Sequence, residues 1–180
     1  FQNALKDVRI FNAAAFEGDL TLFAGITDES IAKHLDLVDE AADTDADNVN
    51  FLYVGGNGDD EINLEVDSDV IAHEDAEVTI STGAGDDMVT FAIMNGPREN
   101  GGLADTHIIP SGPDNMQWYL DQVQNDAINI DTGAGNDVVW TPGSGNVNIV
   151  TGAGDDVVYA DNTGMGPRGG GMQFSAFLYN

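Results

Sequence analysis

The phrase Thr-Gly-Ala-Gly, followed by two acidic or amide residues, occurs three times: Thr82-Gly83-Ala84-Gly85-Asp86-Asp87, Thr132-Gly133-Ala134-Gly135-Asn136-Asp137 and Thr151-Gly152-Ala153-Gly154-Asp155-Asp156. Alternating apolar residues precede each copy (Val78/Ile80, Ile128/Ile130, Val147/Ile149), and Val89, Val139 or Val158 follows. Period-two apolar patterning marks a strand, and paired glycines mark a turn closed to other residues, so the chain must build one strand-turn-strand unit repeatedly. Stacked small units therefore fit this sequence better than a single globular centre.

The apolar beat has a period of nine. Ile62, Ile71, Ile80 and Val89 keep it without exception, and Ile130, Val139, Ile149 and Val158 continue it with one ten-residue step. The units Leu64–Ala72 and His73–Ser81 lack glycines but keep the beat, which predicts strands there. Two nonapeptides predict a circuit of about 18 residues. On that count turns at 55 and 73 share one edge, and those at 64 and 82 the other. The three TGAG turns then stack on the edge of 82, the unit at 142 lies opposite, and Phe91–Asp131 is one swollen half-circuit.

A fourth stretch, Gly55-Gly56-Asn57-Gly58-Asp59-Asp60-Glu61-Ile62-Asn63, fits the nonapeptide G-G-x-G-x-D-x-U-x at every defined position. By these motifs the chain resembles the hemolysin-type (RTX) calcium-binding repeat family. The resemblance implies an all-β fold, a parallel β-roll or right-handed β-solenoid, with calcium held between turns on successive circuits by glycine carbonyls and sixth-position aspartates. Carried over, one ion lies between Gly83–Asp87 and Gly133–Asp137 and another between Gly133–Asp137 and Gly152–Asp156. Asp87, Asp137 and Asp156 supply carboxylates, Gly83, Gly85, Gly133, Gly135, Gly152 and Gly154 the turns, and Asp86, Asn136 and Asp155 auxiliary oxygens.

Calcium suits such turns because it is a hard cation that takes six to eight oxygens from carboxylates and carbonyls. Two weaker candidates are Asp60 with Gly56 and Gly58, whose turn has no well-formed partner one circuit on, and Asp69, which has the sixth-position carboxylate without flanking glycines. Thr replaces the first glycine in all three TGAG copies. Val147 replaces the aspartate of the 142 turn, where no ion is expected. The competing reading is that Gly-Asp-Asp makes good corners for local reasons alone. Asp43-Thr44-Asp45-Ala46-Asp47 has the opening of an EF-hand loop, but Asn48 and Val54 stand where its glycine and glutamate belong, so it reads as an acidic solvated loop.

Charge sharpens the metal argument. Five Lys plus Arg against 32 Asp plus Glu leaves a net charge of -27, which opposes compaction unless cations are bound and excludes nucleic acid as a partner. The absence of cysteine removes disulfides and thiolate metal sites. No apolar run approaches the ~18 residues that span a bilayer. The chain shows no signal peptide and reads as a mature product or a piece of a longer protein.

Three regions follow. Residues 1–50 read as an N-terminal cap, with strands at Val8–Phe11 and Leu20–Phe23 and a helix over Asp28–Ala41, capped by Thr27 and carrying Ile31, Leu35 and Val38 on one face. Residues 51–163 form the repeat, interrupted at about 95–125 by an insertion with a short helix at Met116–Val123 that holds Trp118, Tyr119 and Leu120. Residues 164–180 are a glycine-rich loop and a terminal strand around Phe174, Phe177, Leu178 and Tyr179.

No catalytic motif has its context: Gly164–Gly169 matches G-x-G-x-x-G, but Pro167 denies it a following helix, and His34, His73 and His107 are isolated. The sequence thus predicts an extracellular, non-enzymatic structural segment of an S-layer, filament or adhesin kind. Its folding depends on calcium, and its partners are its own copies, neighbouring domains or surface carbohydrate. The alternative is a calcium-binding secretion module of an exported protease or lipase whose active site lies elsewhere.

Overall fold

The computed structural model describes residues 4–35, 48–71, 73, 75–94, 128–142, 147–161 and 176–177. The fold is all-β, with strands in two open parallel sheets and little helix. Twelve strands appear in chain order: β1 Leu5–Lys6, β2 Ile10–Asn12, β3 Thr21–Ile26, β4 Val49–Val54, β5 Glu61–Asp67, β6 Ala76–Ser81, β7 Met88–Met94, β8 Ile128–Asp131, β9 Val138–Pro142, β10 Asn148–Val150, β11 Val157–Asp161 and β12 Ala176–Phe177. Through β11 the chain alternates between sheets. One sheet has the order β1-β3-β5-β7-β9-β11-β12, the other β10-β8-β6-β4-β2, and only β12 runs antiparallel.

Alternation of apolar and polar residues makes each strand one-sided. Inward columns run in register across each sheet: Tyr53, Ile80, Ile130 and Ile149 in one, Leu22, Ile62, Val89, Val139 and Val158 in the other. Both sets belong to a single core cluster, in which Phe51, Tyr53, Ile62, Ile80 and Val89 are fully buried. Tyr53 keeps its hydroxyl satisfied by donating to the Val8 carbonyl at 2.6 Å, and burial pushes its pKa up.

The last circuit keeps the length the nine-residue beat predicts and the middle one carries the expected insertion, but the first is longer. Paired aspartates on successive circuits lie 27, 50 and 19 residues apart. Between β5 and β6, where strands were expected throughout, the chain makes a helical turn α1, Ser68–Ile71. Ile71 is still 3% exposed, so the apolar beat reports burial there and not a strand. The extra length moves the turn of residues 55–60 to the edge that carries all three TGAG turns, instead of the opposite edge.

At the N-terminal end, β1, β2 and β3 join the same two sheets, and β3 pairs with β5 over six residues. The helix expected over 28–41 is represented by a π-helical turn, Ile31–Leu35, whose Leu35 is buried; Val38 lies outside the described residues. The Thr27 hydroxyl is turned to Asp7, at 3.0 Å from Oδ1. Asp7 holds φ at 53° and also accepts from the Thr27 amide and the Ser30 hydroxyl. Burial alone would raise its pKa, but these donors, with Lys6 alongside, hold it below the ordinary carboxylate value.

The insertion at 95–125, the 142 turn from residue 143 to 146, the acidic loop at 43–47 and the glycine-rich run at 164–172 fall outside the described residues. Truncation separates core from surface: Ile71→Ala should cost about 2–5 kcal/mol, whereas Met88→Ala, at an outward position 39% exposed, should stay within about 0.5 kcal/mol, both read by urea denaturation.

Candidate metal-binding edge

All four glycine turns stack on one edge, between β4 and β5, β6 and β7, β8 and β9, and β10 and β11. Gly83, Gly85, Gly133, Gly135, Gly152 and Gly154 hold φ between 75° and 151°, a region that disfavours any side chain. Space forbids one as well: a Cβ at Gly133 or Gly135 would strike the carbonyl of Gly83 or Gly85, and one at Gly152 or Gly154 that of Gly133 or Gly135. Backbone contact between turns is completed by Ala134 N–H to Gly83 O at 3.1 Å and Ala153 N–H to Gly133 O at 3.0 Å. Gly56 and Gly58 lie below, their carbonyls against Gly83 and Gly85.

The second acidic position of each turn forms an inner column. Asp60, Asp87, Asp137 and Asp156 are 1%, 2%, 0% and 7% exposed. Each carboxylate reaches back one circuit: the Asp60 amide donates to Asp87 Oδ1 at 2.8 Å, that of Asp87 to Asp137 Oδ1 at 2.9 Å, and that of Asp137 to Asp156 Oδ1 at 3.0 Å. The first position forms an exposed outer column with the opposite sense, in which the Asp86 amide donates to Asp59 Oδ1, that of Asn136 to Asp86 Oδ1 and that of Asp155 to Asn136 Oδ1.

The inner column is not fully satisfied. Asp87 Oδ2 and Asp137 Oδ2 are buried with no hydrogen-bond partner among the described residues, which for a charged group costs at least about 1–3 kcal/mol each. Burial raises the Asp87 pKa above its ordinary value, and the Asp137 and Asp60 charges add to the rise against the Asp60 amide. Asp60 differs, because Oδ1 accepts from the Leu20 amide and Oδ2 from Gly56 N–H at 2.6 Å.

The threonines have a structural role that sequence alone leaves as a departure from the repeat pattern. The Thr82 hydroxyl donates to the Thr132 carbonyl at 3.1 Å and that of Thr132 to Thr151 O at 3.4 Å. At the equivalent Gly55 a Cβ would run into the Asp60 carboxylate, so glycine there and threonine above follow from where the aspartate sits. Asp59 and the threonines were readable from their repetition at fixed places in the phrase. Asp69 joins none of these, lying exposed in α1 at the far edge, where its amide donates to Asp67 Oδ1 at 3.0 Å.

Among the described residues no three Asp, Glu, Cys or His side chains converge as a metal cluster. A cation on this edge must therefore combine the carboxylates of adjacent turns with backbone oxygens, a donor set of the hard type. Compared with protein-family models, curated proteins and solved structures, the chain matches none.

Two outcomes follow. Gly135→Ala should destabilise by more than about 2 kcal/mol, through its φ and the Gly85 carbonyl, against a small effect of Ala134→Ser at the adjacent exposed position; thermal melts compare them. Asp87, and likewise Asp67, whose pKa burial also raises, bind protons more tightly folded than unfolded. In chelator, stability should therefore rise as pH falls through the raised values toward the ordinary 3.8, while the Asp7 contribution has the opposite sign and is lost below 3.8. The folded fraction in chelator between pH 7 and 3, followed by circular dichroism, reads both signs.

Proposed function

We propose that this chain is an extracellular calcium-binding structural segment, built as a parallel β-roll or right-handed β-solenoid of the RTX type, whose folding is coupled to calcium on the glycine edge. One observation carries the reading: two buried carboxylate oxygens on successive turns, Asp87 Oδ2 and Asp137 Oδ2, without a partner. Neighbouring strands lie ~4.8 Å apart, where two like charges repel by about 3 kcal/mol at an effective dielectric constant near 20. A divalent cation removes that repulsion and satisfies the orphan oxygens together.

Asp87 and Asp137 hold the first ion with carbonyl oxygens of the turns Gly83–Asp87 and Gly133–Asp137, and Asp137 with Asp156 the second. Asp60 has both oxygens occupied by amides and serves as the column's closed end. Calcium affinities of extracellular modules lie at about 10⁻⁴–10⁻³ M, so a chain this acidic stays expanded in low-calcium cytosol and folds outside the cell. Among the described residues no helix is long and apolar enough to cross a membrane. The role is structural and not catalytic, and the chain's partners are its own copies or neighbouring domains.

Circular dichroism during a calcium titration tests this, repeated with magnesium and with the Asp87/Asp137/Asp156→Ala variant. A calcium-specific gain of β signal that the variant loses is the expected result; an identical folded spectrum in chelator removes calcium as the folding switch.

A further inference from the structure

We propose that the outward face of the longer sheet binds an uncharged linear polysaccharide along a row of side chains that crosses five strands. The row is Phe23, Asn63, Thr90, Trp140 and Tyr159, one residue from each of β3, β5, β7, β9 and β11 in unbroken parallel register. Inward positions alternate with it, since Leu22, Ile62 and Val89 beside it are buried. Phe23 and Tyr159 are 39% and 38% exposed, and Asn63, Thr90 and Trp140 are half-buried. At ~4.8 Å per strand the row runs about 19 Å, the length of a short run of sugar rings, each about as long as one strand spacing.

The order of chemistries along the row suits a saccharide. A pyranose has apolar C–H faces that stack on aromatic rings and hydroxyl edges that need hydrogen-bond partners. Trp140 and Tyr159 place two aromatic side chains on adjacent strands, and Phe23 places a third at the other end. Between them stand an amide and a hydroxyl, Asn63 and Thr90. The Asn63 amide donates to Glu61 Oε1 at 2.8 Å, which holds it beside a carboxylate that also accepts hydroxyl protons. Met88, Val138 and Val157 lie two residues before Thr90, Trp140 and Tyr159 and are in register with one another. Met88 is 39% exposed, so apolar surface flanks the aromatic pair. An exposed apolar patch with a polar border marks a binding surface.

Charge selects among occupants. β3, β5, β7, β9 and β11 contain no lysine or arginine. Glu61 and Glu65 border the row on either side of Asn63, and exposed Asp86 and Asp155 precede Met88 and Val157 by two residues. Such a border repels an anionic glycan or a nucleic acid. A basic polymer is attracted to every face of a chain with net charge -27 and gains nothing specific from a row whose centre is an amide and a hydroxyl. An apolar partner would bury Asn63 and Thr90 without offering them hydrogen bonds. The complementary ligand is uncharged, apolar on its faces, hydroxylated at its edges and extended along the row.

The inference adds attachment to the structural role above and does not depend on which cation fills the glycine edge, because the strands alone form the row. Co-sedimentation tests it, with the 180-residue chain in a buffer where circular dichroism shows it folded and with particles of cellulose, mannan, chitin and cross-linked dextran as the probes. At least one of them should deplete the chain from the supernatant, equally at low salt and at about 1 M sodium chloride, where charges are screened within ~3 Å. Trp140→Ala/Tyr159→Ala should weaken that binding about tenfold or more, whereas Trp140→Phe/Tyr159→Phe, which keeps the rings, should retain most of it; dichroism establishes that each is folded. Should the double alanine variant fail to fold, Tyr159→Ala replaces it and should weaken binding several-fold. Depletion by none of the four probes, a folded alanine variant that binds as the wild type does, or binding abolished by salt would overturn the proposal.

Discussion

Everything on the glycine edge depends on one interaction, the hydrogen bond from an aspartate's amide to the carboxylate of the aspartate one circuit later. It locks successive turns in register, and it does so by drawing four carboxylates into a buried line. The bond and the repulsion are inseparable, because the oxygen that accepts the amide brings a second oxygen with it. In the two middle turns that second oxygen has no protein donor among the described residues. Such a line stacks like charges about one strand apart, so protonation or a bound cation acts directly on the register of the turns.

Glycine and threonine follow from the same geometry. Turns approach closely enough for carbonyls to lie where a Cβ would stand, so the paired glycines are set by the neighbouring turn as much as by their own φ. Threonine stands ahead of the first two TGAG pairs with its hydroxyl on the next turn's carbonyl, Thr82 to Thr132 and Thr132 to Thr151. The two sheets contribute the other constraint, inward columns whose register fixes which turn sits above which. Core, turn and carboxylate line are thus one repeated arrangement, seen from the inside, the edge and the solvent.

Much of this was legible in the sequence. The inward residues Ile62, Ile80, Val89, Ile130 and Val139 were given by their spacing, and the stacking of the three TGAG turns by their identity. The length of the circuit from Asp60 to Asp87 was not legible, because a nine-residue apolar beat is kept by Ile71 whether it sits in a strand or in a helical turn. That ambiguity misplaced the turn of Asp60, and with it the recognition that Asp59 and Asp60 begin the two aspartate columns. Asp69 matched the pattern by residue type alone, and nothing in its neighbourhood brings a second turn toward it. The orphan oxygens could not be read from sequence, since they depend on which lone pair each amide takes.

The central claim is that the charge of the inner column, and not merely its shape, is what a cation acts on. The most direct measurement compares Asp87→Asn/Asp137→Asn with the wild type by the folded fraction in chelator, read by circular dichroism, and by the urea midpoint in saturating calcium. Asparagine keeps the oxygen that accepts the amide and removes the charge, so the variant should be the more stable of the two in chelator and the less stable in calcium. A wild type more stable than the variant in both conditions, by the same margin, would contradict the account and leave the aspartates as corner residues alone.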